Sequence, residues 1–117
     1  MTETSIPLNF TVECLEKPLK QKQVTATIRG RAFIQKYGLK PGKKIEVKYK
    51  RKRVGFAVIT DIRLIGYSNL FEPDIIRREG FTSADELIDV LKRFWRWHWD
   101  NIVVGKQKMP FIEFKWI

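Results

Sequence analysis

The segment "KIEVKYKRKRVGFAVITDIRLIGY", residues 44–67, decides the fold, because it joins two strand patterns by a short polar connection. Residues 44–49 alternate strictly between polar and apolar side chains, which is typical of a strand with one buried face. The run from 54–67 is apolar on both faces and predicts a longer strand. The connection "KRKR" at 50–53 therefore predicts an antiparallel hairpin with a strongly cationic tip.

Further strand and helix patterns surround this hairpin. Strands are predicted over residues 8–15, 24–29 and 109–117. Helices are predicted over residues 31–38 and 82–99, and residues 69–80 are predicted to be loop and helix, broken around Pro73. The last helix begins with Ser83 and Glu86 at the spacing of a capping box. Because strands outnumber helices, the sequence predicts an α+β fold, a small mixed, mostly antiparallel β-barrel with two or three covering helices. No linker divides the chain, so residues 1–117 are interpreted as a single domain.

The positive charge of the chain is unevenly distributed. The formal net charge is +10 at pH 7, and residues 1–53 contain 14 Lys and Arg against 4 Asp and Glu. Residues 54–117 contain 9 of each kind, so the whole excess belongs to the first part. A basic face of this kind favours a polyanionic partner, and nucleic acid is the partner we expect. The alternative is that these cations only keep the protein in solution.

Cysteine, histidine and hydropathy exclude several classes of protein. Cys14 and His98 are single residues of their kinds, so zinc-type ligand spacings are absent, and we predict no metal and no cofactor. We expect Cys14, inside the first predicted strand, to be a small buried hydrophobe rather than a nucleophile. No apolar run approaches the roughly 18 residues of a membrane span, and the N-terminus lacks a signal-peptide pattern. A soluble, cytoplasmic protein without a membrane partner is therefore expected.

The polar face of the second predicted strand is the first candidate site. In "VTATIR" the apolar side chains point to one side, whereas Thr25, Thr27 and Arg29 point to the other. Arg29 can bind a phosphate through two parallel hydrogen bonds. Its alternative role is a structural ion pair with Glu79 or Asp61. Threonine is also common in strands for its β-propensity alone, so the threonines do not by themselves establish a site.

Three segments together resemble the ASCH domain family, a branch of the PUA-like pseudobarrels. The segment "VTATIRGR" is similar to the family's early K-T-x-T-I-R strand, "GLKPGKKIEV" to its turn and following strand, and "RREGFTSADELIDVLKRF" to its E-G-F-x-S-x-x-E-F segment. The closing "IEFKWI" is similar to the family's final aromatic strand. The segments occur in the family's order and cover residues 20–117. The resemblance implies a PUA-like barrel with a cleft suited to RNA or a nucleobase.

The resemblance also implies roles for particular residues. Some family members hydrolyse the acetyl amide of acetylcytidine with a Lys, a Thr and a Glu, and others are ribonucleases or RNA-binding modules. By position, the family's Thr corresponds to Thr27 and its Glu to Glu79. Its Lys corresponds to Val24, which can act neither as a base nor as a nucleophile. Lys22 could replace that Lys only if the local register shifts. The sequence therefore leaves enzymatic activity open and leans against it.

Cations and tryptophans complete the predicted nucleic-acid interface. The predicted phosphate contacts are Arg29, Arg31, Lys48, Lys50, Arg51, Lys52 and Arg53. A solvated hairpin end that discourages edge-to-edge pairing is the alternative for the cations of the hairpin. Phe94 and Trp95 continue the apolar face of the last predicted helix and are expected in the core. Trp97 and Trp99 lie off that face and are candidates for stacking on bases. His98 is expected to be structural.

The function predicted from the sequence is nucleic-acid binding. RNA, single-stranded or structured, is favoured over DNA because of the family resemblance. The basic first half of the chain would hold phosphates, and a barrel cleft containing Thr27 and Glu79 would hold a base or nucleoside. One alternative is an amidohydrolase acting on acetylcytidine-type nucleosides, or a ribonuclease. The other alternative is a module that binds an acidic protein partner.

Overall fold

The structure is a computed structural model that describes residues 5–117. Its strands are β1 (Ile6–Phe10), β2 (Ala26–Ile28), β3 (Lys44–Tyr49), β4 (Lys52–Ile65) and β5 (Met109–Trp116). Its α-helices are α1 (Glu16–Lys20), α2 (Arg31–Tyr37), α3 (Pro73–Arg78), α4 (Ala84–Phe94) and α5 (Trp99–Val103). Short 3-10 helices cover Glu13–Leu15 and Tyr67–Phe71. Within this part of the chain, no helix has the length and apolar character needed to cross a bilayer.

The strands of the described chain form a mixed sheet that curls into a half-barrel. The strand order is β1-β3-β4-β5-β2. β1 pairs with β3 in parallel, and the other neighbours pair antiparallel. The two edge strands are linked, because Nη2 of Arg29, directly after β2, donates a 2.9 Å hydrogen bond to the carbonyl of Asn9 in β1. The predicted α+β class with a small, mostly antiparallel, barrel-like sheet is confirmed.

The predicted hairpin is formed by β3 and β4, with Tyr49 opposite Lys52. Lys50 and Arg51 make the turn, and both have positive φ, 47° and 68°. Two consecutive residues of positive φ are typical of a type I′ turn, whose twist matches that of the paired strands. Because the turn is this tight, Lys52 and Arg53 enter the ladder. β4 therefore begins earlier than the sequence predicts.

Helix α4 directs its apolar face to the core, where Leu87 and Leu91 are buried. Its first turn is capped as predicted, since the Oγ of Ser83 accepts the N–H of Glu86 at 3.2 Å. The return bond goes to Thr82, whose N–H donates to Oε1 of Glu86 at 3.1 Å. Both bonds satisfy backbone donors that a helix start otherwise leaves unpaired.

The first predicted strand is too long. β1 ends at Phe10, and the chain turns into the Glu13–Leu15 3-10 helix and then α1. This helical path buries Leu15 and Leu19, which lie one helical turn apart on the same side. Cys14 is exposed as a result. Its predicted role as a buried hydrophobe is therefore wrong.

Helix α4 ends earlier than predicted, at Phe94. Phe94 is 66% exposed, so its predicted core position is wrong, whereas Trp95 packs half-buried against the core. Residues 95–98 form a bend and a turn, and the short helix α5 follows. It places Trp99 edge-on against Tyr67, with 5.9 Å between ring centroids, and it buries Ile102 completely. A single continuous helix to residue 99 would lose this packing.

Candidate functional site

A cleft of about 370 Å³ lies where the two edge strands meet the apolar face of α4. β1 contributes Asn9 and Phe10, and the end of β2 with the following turn contributes residues 27–30. Glu79 reaches the cleft from the end of α3, and α4 supplies much of the apolar wall. The strand face that the sequence singles out therefore meets a buried carboxyl group here.

Arg29 is held by both edge strands. Its Nε donates to Oγ1 of Thr27 at 3.2 Å, and its Nη2 donates to the carbonyl of Asn9. The guanidinium also lies over the Phe10 ring, 4.8 Å from the ring centroid. Burial lowers the pKa of Arg29 to about 10 despite the attraction of Glu79, so the side chain stays positively charged at neutral pH. Within residues 5–117, it forms no ion pair with either carboxylate considered from the sequence.

Glu79 is a buried carboxyl group with one oxygen unused. Only 5% of the residue is exposed. Its Oε1 accepts the backbone N–H of Ile28 at 3.2 Å, whereas its Oε2 has no hydrogen-bond partner among residues 5–117. Burial raises the pKa of Glu79 to about 8, although the Ile28 N–H and the charge of Arg29 oppose the rise. At pH 7 the group is mainly protonated and can donate a hydrogen bond as well as accept one.

The two threonines near β2 lie in different environments. Thr27 is buried and lines the cleft. Thr25 lies outside the cleft, where its Oγ1 accepts a 3.3 Å hydrogen bond from Nε of Arg78. Arg78 in turn pairs with the buried carboxylate of Glu113. The polar face predicted for this strand is therefore divided, because Thr27 and Arg29 serve the cleft and Thr25 serves a separate ion pair.

The lysine that the family resemblance requires is not in the cleft. Val24, at the position of the family Lys, is fully buried, and its carbonyl accepts Nε1 of Trp116 at 2.8 Å. Lys22 has a positive φ of 58° in the preceding turn, and its Nζ lies 5.7 Å from the Trp116 ring centroid. Within residues 5–117, the cleft is lined by no lysine. Lys22 is therefore not placed to act together with Thr27 and Glu79.

The remainder of the cleft wall is apolar and partly aromatic. Phe81 and Leu91 are buried, Trp95 is half-buried, and the exposed His98 lies at the mouth. Apolar walls with a few convergent polar groups are typical of a pocket for a small-molecule ligand. In the described part of the chain, no group of three or more His, Cys, Asp and Glu side chains is arranged to hold a metal ion.

The hairpin tip adjoins the cleft through β1. The backbone N–H of Lys50 donates to the carbonyl of Phe10 at 2.8 Å, and the N–H of Arg51 donates to Oδ1 of Asn9 at 2.8 Å. The ammonium of Lys50 also pairs with Glu13 at 3.7 Å. The cationic turn is therefore fixed next to the two β1 residues that line the cleft.

The other cations of the hairpin differ in how far acids neutralise them. Lys48 and Arg53 both pair with Glu46. Arg51 and Lys52 take part in no ion pair within residues 5–117. Of the hairpin cations predicted to hold phosphate, these two are the ones whose charge no described acid compensates.

The remaining predicted contacts lie outside the cleft. Trp97 is 84% exposed, and the Arg96 guanidinium lies 5.1 Å from its ring centroid. Trp99 packs against Tyr67 and the core, which leaves less of its ring for a base. Arg31, at the start of α2, lines a separate depression next to the cleft.

Asn9 is the residue of this region that the sequence analysis missed. Its carbonyl fixes Arg29 and its side chain fixes the hairpin turn. Both contacts depend on β1 lying at the sheet edge that curls towards β2, so no local pattern around Asn9 indicates them.

Comparison with known proteins supports the fold alone. No family model matches the chain, and no curated protein matches it. Among solved structures, the crystal structure of the hypothetical protein PH0355 is similar, with a TM-score of 0.63 and 18% identity over 97% of this chain and 100% of that chain. At this identity the likeness shows a shared architecture. Membership of the ASCH family stays a prediction.

Proposed function

We propose that the protein is an ASCH-type nucleic-acid-binding module that holds an unstacked base in the cleft and phosphates at the hairpin tip. RNA is favoured over DNA, and the cytoplasm, where Cys14 would stay reduced, is the proposed location. The observation that carries the proposal is Oε2 of Glu79, an unpartnered buried oxygen of a residue that lines the cleft. A buried polar atom without a partner costs free energy, which a hydrogen bond to a ligand would offset.

The polar groups of the cleft are suited to the edge of a heterocyclic base. Because Oε1 of Glu79 accepts the Ile28 N–H, the proton of the neutral carboxyl group is free to be donated from Oε2. The hydroxyl of Thr27 accepts from Arg29 and can donate its own proton. Two such donors match ring-nitrogen and carbonyl acceptors, while the aromatic wall contacts the ring faces. A base that is already paired in a duplex does not offer this edge.

The hairpin tip supplies the charge that a nucleic-acid backbone needs. Arg51 lies in the turn that is bonded to Asn9, and Lys52 follows it as the first residue of β4, so a phosphate bound there would be close to the cleft. Contacts of this kind add affinity that depends strongly on salt and little on base sequence. The cleft would then supply the selectivity.

Hydrolysis of a modified nucleoside is the second candidate function, and the pKa of Glu79 is the observation that favours it. A pKa of about 8 suits a general acid or base near neutral pH. The family's reaction also needs a lysine, and within residues 5–117 the cleft has none. Binding without turnover is therefore the function that we prefer.

The first experiment measures binding of labelled single-stranded RNA and DNA to the wild type, Glu79→Gln and Glu79→Leu. Glutamine can accept the Ile28 N–H and donate from its amide, as the neutral carboxyl group does, so Glu79→Gln should keep most of the affinity. Leucine removes both groups and should weaken binding by about 10- to 30-fold, the effect of about 1.5–2 kcal/mol for one buried hydrogen bond. Acetylcytidine is included in parallel to detect turnover.

The hairpin tip is tested with the double variant Arg51→Gln/Lys52→Gln. Its salt dependence of binding should become flatter, since each lost phosphate contact reduces the slope of log affinity against log salt by about 0.7. The matched control is Lys36→Gln/Lys40→Gln, which removes the same charge at exposed positions that line neither the cleft nor the tip. Absence of binding at low salt would overturn the proposal in favour of an acidic protein partner. Turnover that Glu79→Gln abolishes would overturn it in favour of the enzyme.

A further inference from the structure

A second group of cations lies next to the cleft on the β2 side. Arg31, at the start of α2, shares a depression with Lys106 and Lys108 from the segment between α5 and β5. The amide side chains of Asn101 and Gln107 line the same depression. We call Arg31, Lys106 and Lys108 the Lys106 cluster.

The charge of the Lys106 cluster is not compensated by the acids of the described chain. Within residues 5–117, no Asp or Glu lines the depression, and none of the three cations takes part in an ion pair. In the hairpin, three of the cations are compensated, because Lys48 and Arg53 pair with Glu46 and Lys50 pairs with Glu13. Like charges that share a depression repel one another, so a bound anion would relieve that repulsion.

The backbone fixes the Lys106 cluster beside the cleft. Gly30 lines the cleft, and its neighbour Arg31 lines the depression. The N–H of Arg29 donates to the carbonyl of Pro110 at 3.2 Å, which holds the segment carrying Lys108 next to the end of β2. The cleft therefore has a cationic group at its β2 side as well as one at its β1 side.

We propose, on the basis of the proposed function, that the ligand is a nucleotide within a single strand whose backbone passes both cationic groups. The base of this nucleotide enters the cleft, the phosphates on one side of it contact the hairpin tip, and those on the other side contact the Lys106 cluster. A free nucleoside would leave both groups unused. A duplex would keep its bases paired and unavailable to the cleft.

The test compares the wild type with Lys106→Gln/Lys108→Gln in binding a single strand of about 12 nucleotides, within the range of about 4–16 nucleotides that one small single-strand-binding domain occupies. The slope of log affinity against log salt should fall in magnitude by about 1.4, because each phosphate contact on a single strand contributes about 0.7. If the two affinities converge near 1 M salt, the affinity of the variant at about 0.1 M salt should be about 25-fold lower than that of the wild type. Lys106→Arg/Lys108→Arg should retain the wild-type slope, and Lys36→Gln/Lys40→Gln should also leave it unchanged.

A second measurement uses free cytidine and uridine, followed by tryptophan fluorescence. The Lys106→Gln/Lys108→Gln variant should bind these nucleosides like the wild type, which would also show that its cleft is intact. If the wild type binds the strand and this variant matches the Lys36→Gln/Lys40→Gln control, the role of the Lys106 cluster is overturned and the proposed function stands. If the wild type binds no single strand, the proposed function is overturned and this inference with it.

Discussion

Two buried glutamates, Glu79 and Glu113, contact β2, and each lies near a threonine that accepts a hydrogen bond from an arginine. Around Glu113, both carboxylate oxygens are paired with arginines. Arg78 and Arg63 both pair with its carboxylate, and Nε of Arg78 donates to Oγ1 of Thr25. Each oxygen of Glu113 has a cationic partner, so the cluster offers nothing to a ligand.

Around Glu79 the same kinds of residue are arranged differently. Nε of Arg29 donates to Oγ1 of Thr27, as Arg78 does to Thr25, but Nη2 of Arg29 is directed to a backbone carbonyl of β1. The carboxyl group is left with one N–H partner and one unpartnered oxygen. The comparison shows that the same residue types form a closed ion-pair cluster when the arginine compensates the acid, and leave an unpartnered carboxyl oxygen when the arginine is bonded to the backbone instead.

The largest expected effect is the pH dependence of stability caused by Glu79. Its pKa is about 8 in the folded protein and 4.5 as the reference value for the unfolded chain, so the folded protein binds more protons between these values. The stabilisation is fully present below the unfolded pKa and is lost as the pH rises through the folded pKa. Relative to Glu79→Gln, the wild-type free energy of unfolding should fall by up to about 1.4 kcal/mol per pH unit between these values, about 4–5 kcal/mol in all.

Denaturant unfolding of the wild type and Glu79→Gln at several pH values across this window measures the difference. The control is Asp74→Asn, since Asp74 is an exposed carboxylate paired with Arg77 on α3. The free energy of unfolding of Asp74→Asn should depend on pH in the same way as that of the wild type in the neutral range. If the free energy of unfolding of Glu79→Gln also follows the wild type at every pH, Glu79 is ionised in the folded protein. Glu79 would then not differ from Glu113 as a buried, uncompensated carboxyl group.

The next largest effect is the loss of stability in Glu113→Ala. The substitution leaves Arg78, which is only half-buried, and Arg63 without their shared carboxylate. Removing one partner of a buried ion pair is strongly destabilising, and partial exposure of both arginines reduces the cost here to about 2–3 kcal/mol. The control Asp89→Ala breaks an exposed pair with Arg93 and should cost about 0.5 kcal/mol or less. Equal losses in the two variants would show that Glu113 is not a structural anchor.

The parts of the structure that could be predicted from the sequence are those encoded by near neighbours. The alternation over residues 44–49 and the apolar run after it identify the hairpin. The spacing of Ser83 and Glu86 identifies the start of α4. The first strand is shorter than the sequence predicts. The composition of residues 11–15 favours a strand, whereas the spacing of Leu15 and Leu19, which the structure buries together, suits a helix.

The cleft was predicted less completely, because its properties arise between distant segments. Thr27 and Glu79 were identified through the family resemblance, and the structure brings them to one cleft. That Glu79 is buried with a free oxygen follows from the packing of the α3 end against Ile28, 51 positions away in the chain. Lys106 and Lys108 lie in the electrically neutral half of the sequence and join Arg31 only in the folded protein.

The smallest effects are expected from the two threonines. Thr27 accepts a hydrogen bond from Arg29 in the cleft, whereas Thr25 accepts one from Arg78 in the Glu113 cluster. Thr27→Val removes the buried hydroxyl that accepts from Nε of Arg29 and should cost about 1 kcal/mol of unfolding free energy, with weaker binding of single-stranded RNA. Thr25→Val removes the hydroxyl of a residue that is only half-buried, where water can replace it, and should cost about 0.5 kcal/mol or less without changing RNA binding.

Thr27→Ser is the control, because it keeps the hydroxyl that accepts from Arg29, and it should bind RNA like the wild type. Denaturant unfolding and fluorescence anisotropy on the same samples give both quantities. If Thr25→Val weakened RNA binding as much as Thr27→Val, the Arg78 and Arg29 clusters would both belong to the binding surface. The bonding partners of Arg78 and Arg29 would then not distinguish the Glu113 cluster from the Glu79 cluster. The unpartnered oxygen of Glu79 would no longer indicate a ligand site.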